Sequence, residues 1–283
     1  MNSNFEKFAE DGYLVVKAAL QSENLAPLIA VISEVVGKRA REFYDAGTIS
    51  EVYEEVPFER RWYTILQGCG RENEVFGWHT LVFSEALFNL ITHPKVLDVV
   101  ETLIGSEIQF NGDFWVRPKL PNEKLTTLPW HQDSAYMPHT EKDTHLTVWL
   151  PLVDVEVENG TLQFLPGSHT SGLQTYHRVE GETFAVPVLS PTSSHTNIDT
   201  LEMKKGDLLI FNNLVFHRSL LNCSDIIRWS VDFRFSRSDT SLDGLWHEAI
   251  ACPVRNGNNE QCLTSWDAWQ TQWEASPHKG KFV

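Results

Sequence analysis

After Gly105 the sequence loses its helical spacing and breaks into short β-type runs, and that change restricts the fold more than any other feature. The runs are Ile108–Pro118, Leu146–Val153, Thr161–Leu165, Phe184–Val188, Asp207–Phe211 and Ile227–Phe235. Clusters of Gly, Pro, Asn and Ser separate them, Pro166-Gly167-Ser168 among them. Many short strands at this spacing suit a sandwich or a barrel, and a jelly roll is the natural closed solution. The expectation is a mainly β protein with flanking helices and a double-stranded β-helix (jelly-roll, cupin-like) core.

Helices are expected on both sides of that core. A short amphipathic turn around Phe5 and Phe8 precedes a strand at Gly12–Val16. Ser22 suits an N-cap for a helix carrying Leu25, Leu28, Ile29, Ile32 and Val36 at helical spacing. Arg60, Arg61 and Trp62 fit a loop. Helical spacing returns from Ser84 to Leu103, broken at His93-Pro94 and ended by Gly105. Trp266, Trp269 and Trp273, at i, i+3 and i+7, read as a helix packed on the core. With no repeat and no low-complexity linker, the 283 residues read as one domain. Its parts are a helical segment of about 1–105, a β core of about 106–237 and a tail of about 238–283.

Charge narrows the partners. The 23 Lys and Arg against 38 Asp and Glu leave −15, which argues against a phosphate-backbone partner. No basic run would dock on an anionic membrane, and no apolar stretch is long enough to span one. Cys69, Cys223, Cys252 and Cys262 are scattered without a CxxC pair, as reduced thiols in a cytosolic protein would be. The N-terminus lacks the order of a secretory signal, so the expected location is cytoplasmic and the expected partner a small molecule.

His131-Gln132-Asp133 sets an imidazole and a carboxylate two residues apart, which on a strand puts both on one face. A third ligand can come from His217, after the run Leu208–Phe211 and the turn-like Asn212-Asn213. Two imidazoles and one carboxylate leave positions open on an octahedral ion, as non-haem Fe(II) oxygenases require. Zinc takes the same set, so ligand types alone leave the metal open. Arg228 follows His217 by eleven residues, inside an apolar strand. A guanidinium there needs a carboxylate, either an internal Asp or Glu or a dicarboxylate co-substrate. Ser219 could donate to the same group.

The ordered pieces resemble the phytanoyl-CoA dioxygenase (PhyH-like) family of Fe(II)/2-oxoglutarate-dependent oxygenases. They are Asp11–Val16, His93–Val100 through Leu103-Ile104-Gly105, Trp130-His131-Gln132-Asp133 and Glu158–Leu162. Leu165-Pro166-Gly167-Ser168-His169 follows, then Gly206-Asp207, His217-Arg218-Ser219 and Arg228. The resemblance implies a jelly-roll core, iron on His131, Asp133 and His217, and 2-oxoglutarate held at its C5 carboxylate by Arg228 and Ser219. Trp149 stands where the family often has an aromatic beside the co-substrate, and Asn111 is a polar carry-over. His169 and Glu158-Asn159-Gly160 read as turn chemistry, with Gly160 able to take a positive φ.

The chemistry implied is O2-dependent decarboxylation of 2-oxoglutarate to succinate and CO2, coupled to oxidation of a small-molecule metabolite. Hydroxylation is the first expectation, with desaturation, cyclisation or epimerisation as alternatives. Family halogenases replace the carboxylate ligand with a small residue; this chain keeps Asp133, which implies oxidation without halogenation. Trp115, Arg117, Lys119 and Tyr136 could line the substrate pocket; Arg117 and Lys119 face either an anionic substrate or solvent on an edge strand. A non-catalytic cupin-like module and a zinc hydrolase are the competing readings; the latter has no use for Arg228.

Overall fold

The computed structural model describes residues 3–71, 74–137, 140–178, 185–188, 190–245, 248–257, 262 and 265–276. Helix α1 (Ser3–Asp11) and strand β1 (Tyr13–Val16) are followed by five helices, α2 (Ser22–Asp45), α3 (Phe58–Cys69), α4 (Trp78–Leu81), α5 (Glu85–Ile91) and α6 (Pro94–Ile104). The strands are β2 (Ile108–Lys119), β3 (Leu146–Pro151), β4 (Leu162–Phe164), β5 (Tyr176–Arg178), β6 (Ala185–Pro187), β7 (Asp199–Leu201), β8 (Leu208–Asn212), β9 (His217–Ser219), β10 (Arg228–Arg237) and β11 (Cys252–Arg255). Helix α7 (Trp266–Ala275) comes last. Each expected β run holds a strand; Phe184, at the head of one run, lies outside the described residues.

Two sheets and a hairpin organise these strands. The large sheet runs β1-β8-β3-β10-β2-β11, the small one β7-β4-β9, and β5 pairs with β6. Period-two alternation sorts the faces of the large sheet. On β10, Trp229, Val231, Phe233 and Phe235 enter the core shared with the helices. The intervening Arg228, Ser230, Asp232 and Arg234 turn to the other face. Antiparallel pairing sets Arg228 against Lys119 and Ser230 against Arg117, and on the other side Asp232 against Trp149 and Arg234 against Thr147. The inner face therefore carries a charged ladder. A second apolar cluster unites Trp149, Leu209 and Phe211 of the large sheet with Leu162 and Phe164 of the small one. The sheets thus curl around a polar interior, the jelly-roll architecture expected.

The helices cover the outer face. Leu25, Leu28, Ile32, Val36 and Ala40 of α2 are all buried. That helix begins at Ser22, but Ser22 is not its cap; Gln21 is, and its N–H donates to Asn24 Oδ1 at 2.8 Å. Arg60, Arg61 and Trp62 are not in a loop either. They belong to α3, whose Trp62 packs edge-on against Trp78 at 5.4 Å. The break at His93-Pro94 separates α5 from α6, with Pro94 opening the second helix, where its missing N–H costs nothing. Trp269 and Trp273 of α7 are buried against Phe83, and Trp269 Nε1 donates to Ile250 O at 3.1 Å. No described helix is long and apolar enough to cross a membrane.

Candidate metal centre

His131 and His217 face each other through a backbone bridge: each N–H donates to the other's carbonyl at 3.0 Å. This brings the first residue of β9 beside the segment leading out of β2. Asp133 then starts a single 3-10 turn, so it reaches the histidines by a turn and not by strand alternation. The ligand atoms of His131, Asp133 and His217 lie within 4.8 Å of one another, and all three residues are buried. His131 Nε2 is 3.7 Å and His217 Nε2 is 3.6 Å from Asp133 Oδ1.

Hydrogen bonds fix which atoms face inward. His131 Nδ1 lies 2.8 Å from Pro129 O and His217 Nδ1 lies 3.1 Å from Val215 O. A carbonyl can only accept, so each Nδ1 carries the proton and each Nε2 keeps its lone pair for a metal. Burial, and then the neighbouring His217, lower the pKa of His131 to about 3. Burial likewise lowers that of His217. Burial works against the charge of Asp133, but Arg234 above all, then the two histidines and Thr147, keep its pKa below the usual carboxylate value. Thr147 Oγ1 donates to Asp133 Oδ2 at 2.7 Å, and Arg234 Nη2 stands 3.6 Å from the same oxygen. Two neutral imidazoles and an ionised carboxylate are the protonation states that metal binding requires.

The triad opens on a cleft of about 120 Å³. At its inner end sit two buried cations, Arg228 and Lys119. Arg228 Nη1 donates to Ser230 Oγ at 2.9 Å, and Nε has no partner among the described residues. Its guanidinium lies 5.3 Å from the Trp149 ring. Burial, then the charge of Arg117, lower its pKa. Lys119 is wholly buried; its Nζ donates to Thr126 O at 2.6 Å and Ser219 Oγ at 3.1 Å. Burial, then Arg228, press its pKa well below the ordinary lysine value. No described acid is within salt-bridge distance of either group. Two buried basic groups side by side, with no described acid in salt-bridge distance, invite an anion from solution.

Several sequence expectations meet here: His131, Asp133, His217, Arg228, Ser219, Trp149 and Arg117 all line the cleft. Ser219 Oγ donates to Thr126 O at 3.0 Å and accepts from Leu128 N–H at 3.0 Å, which closes the loop over Lys119. Asn111 does not reach the cleft. Its side chain pairs with His145 Nδ1 at 2.8 Å and accepts from Ser236 Oγ at 2.9 Å. Trp115 lies under Arg117 and donates to Asp113 Oδ1 at 2.8 Å, while Tyr136 sits edge-on to His131; neither lines the cleft. Strand β11 pairs with β2 only at Ile108–Phe110, so the stretch carrying Arg117 and Lys119 is bordered by β10 alone; Lys119 is buried there and Arg117 is partly exposed. Thr147 and Arg234, neither singled out in the sequence, also line the cleft, and Lys119, expected to face either an anionic substrate or solvent, lies beside Arg228. For Arg234 a signal was present, since charged and hydroxyl residues at alternate positions of β10 between Trp, Val and Phe mark an inward polar face; Thr147, on β3, had no such pattern around it.

The family model for phytanoyl-CoA dioxygenase (PhyH) matches residues 8–230. The chain belongs to the phytanoyl-CoA dioxygenase family. It is thereby an oxidoreductase of the Fe(II)/2-oxoglutarate-dependent class. Phytanoyl-CoA dioxygenase domain-containing protein 1 of Danio rerio is 25% identical, over 85% of this chain and 91% of that protein. The peroxisomal phytanoyl-CoA dioxygenase of Mus musculus is 28% identical over 65% of this chain, an alignment spanning 58% of the mouse protein. Among solved structures, the epimerase SnoN, in complex with Fe3+, alpha ketoglutarate and nogalamycin RO, superposes with a TM-score of 0.57 at 21% identity. That match covers 88% of this chain and 84% of SnoN. EctD from S. alaskensis, with 2-oxoglutarate and 5-hydroxyectoine, gives 0.59 at 18% identity, over 86% and 78%. At these identities the structural likeness is one of fold, and it identifies the core as this family's jelly roll.

Proposed function

We propose that this family member binds Fe(II) through His131, Asp133 and His217, and 2-oxoglutarate through Arg228 and Lys119, to oxidise a small-molecule metabolite, most simply by hydroxylation. The observation that carries this reading is the pairing of a neutral-His, ionised-Asp triad with two buried basic groups that have no salt-bridged acid among the described residues, in one cleft. A zinc hydrolase or a non-catalytic module gives those cations no task. Bound iron would activate O2, which is the oxidant, while 2-oxoglutarate would give up two electrons on becoming succinate and CO2. The protein's own residues do the rest. His131 and His217 present fixed lone pairs, and Asp133 gives one oxygen while Thr147 and Arg234 hold the other. Arg228 supplies a guanidinium for the distal carboxylate, flanked by Trp149 and by Lys119 on the paired strand.

Proteins of this fold have more than one outcome. SnoN is an epimerase and SnoK, 18% identical with a TM-score of 0.56, a carbocyclase. Product mass separates gain of one oxygen atom from loss of two hydrogens or no change. Anaerobic addition of Fe(II) and 2-oxoglutarate should produce a weak visible metal-to-ligand charge-transfer band, and O2 should then yield succinate. Asp133→Ala should lose both signals. An unaltered Asp133→Ala protein, or a wild type with neither band nor succinate, refutes the assignment.

A further inference from the structure

We propose that the substrate is an amphipathic organic carboxylate, its anionic end held by Arg117 and its apolar body by Phe76 and Leu125. This rests on the cofactor assignment above and deepens it. Arg117 lies two residues from Lys119 on β2, on the same face, and lines the cleft with its side chain about a third exposed, at 34%. Its Nε and Nη2 donate to Asp232 at 2.6 and 3.2 Å, while Nη1 has no partner among the described residues. The Trp115 ring supports the guanidinium at 5.1 Å. One edge clamped by a carboxylate and one face resting on an aromatic fix the plane of the group. The remaining donors are thus pre-oriented for a second carboxylate, which lowers the ordering cost of binding.

The charge of Asp232 does not cancel this attraction, because it is shared. Arg234 Nη1 also donates to Asp232 Oδ2, at 2.8 Å. The cleft lining carries four cationic side chains (Arg117, Lys119, Arg228, Arg234) against two carboxylates, Asp133 and Asp232, with Asp113 paired to Arg234 at 3.1 Å just behind them. A divalent iron and a dianionic co-substrate add nothing net. The lining thus has more basic than acidic side chains in a chain of charge −15, a balance that favours anions.

The mouth has the opposite character. Phe76 is 55% and Leu125 44% exposed, and both line the cleft with Leu128 beside them. Large apolar side chains held in water at a cleft entrance fit the hydrocarbon or aryl part of a ligand.

The test uses protein loaded anaerobically with Fe(II) and 2-oxoglutarate and showing the charge-transfer band. The probes are octanoic acid, 3-phenylpropanoic acid and their methyl esters. Binding is read as a perturbation of the band, then as succinate formed above the probe-free rate on adding O2. The acids should half-saturate at least about tenfold below their esters, as a charge-assisted contact implies. Arg117→Gln should erase that preference, and Arg117→Lys should restore part of it. Esters that match the acids, an acid preference that survives in Arg117→Gln, or no binding by either class while the band is present, each overturn the proposal. So does a loss of 2-oxoglutarate affinity in Arg117→Gln without loss of acid preference. If Arg117→Gln does not fold, the acid-to-ester ratio of Arg117→Lys against wild type decides, and an unchanged ratio overturns it. Absence of the band in wild type indicts the cofactor assignment instead.

Discussion

At the scale of single residues, the site depends on how each ligand is held as much as on the ligands themselves. Asp133 is informative because its two oxygens have different tasks. Oδ1 faces both imidazoles, while Oδ2 takes the Thr147 hydroxyl at 2.7 Å. Replacing Thr147 by Val keeps the shape and removes that donor. The carboxylate is then free to rotate, and a buried acceptor loses a partner. Iron affinity should fall about 10- to 100-fold, the usual cost of removing a group that orients a ligand. Fe(II) titration under argon, followed by the charge-transfer band, measures this. Unchanged iron affinity in Thr147→Val would show that Arg234 alone positions the carboxylate.

At the scale of elements, the turn before β4 matters because Lys119 passes beside it. Gly160 has φ +84, and a Cβ there would lie 2.6 Å from Lys119 Cε and 2.7 Å from the Leu220 carbonyl oxygen. The lysine can bend, but the backbone oxygen cannot yield cheaply. Gly160→Ala should therefore cost about 1–3 kcal/mol in strain alone, and it should weaken 2-oxoglutarate binding by displacing Lys119. Gly47→Ala is the matched control. Its φ is +70 but a Cβ meets nothing within 4 Å, so it should lose stability without losing co-substrate affinity. Denaturant melts together with 2-oxoglutarate titrations separate the two effects; equal affinities in both variants would remove Gly160 from the site. This turn was readable from the sequence, as Glu158-Asn159-Gly160 reads as turn chemistry with a glycine able to take the positive φ found there. So were the long β runs and the helices with regular apolar spacing. The elements missed are those whose sequence signal is weak. β9 is His-Arg-Ser, β7 is Asp-Thr-Leu, and α3 carries Arg60-Arg61 next to a Trp buried only by its neighbours. Asp133 misled differently, since HxD suggests a strand and the chain supplies a turn.

At the scale of the whole molecule, one apolar core runs from Phe8 to Trp273 and joins the helices to the outer face of the large sheet. We propose on this basis that the three segments act as one domain. That core encloses polar groups whose charge state depends on the fold. His79 and His145 are almost completely buried. Burial, then the charge of Arg117, lower the pKa of His79 to about 4. Burial, opposed by Asp143, brings His145 to about 4 as well. Both are neutral in the folded state, whereas unfolded chains protonate near pH 6.5. The unfolded state thus binds more protons between those values, and stability rises with pH across that window. The contribution is complete above about pH 6.5 and drains away as the pH falls towards 4, by on the order of 3 kcal/mol for each ring. The depressed carboxylates Asp133 and Asp232 act in the same direction, but below their ordinary value of 3.8. Mild acid therefore reports the histidines. Chelator-treated protein, in which the metal-free His131 and His217 add to the same effect, should lose thermal stability steadily from about pH 6.5 to 4.5, and His79→Phe should flatten that slope in part. A profile that stays level across the window in wild type would mean that these rings take up protons without unfolding, and the buried neutral imidazoles described here would have to be abandoned.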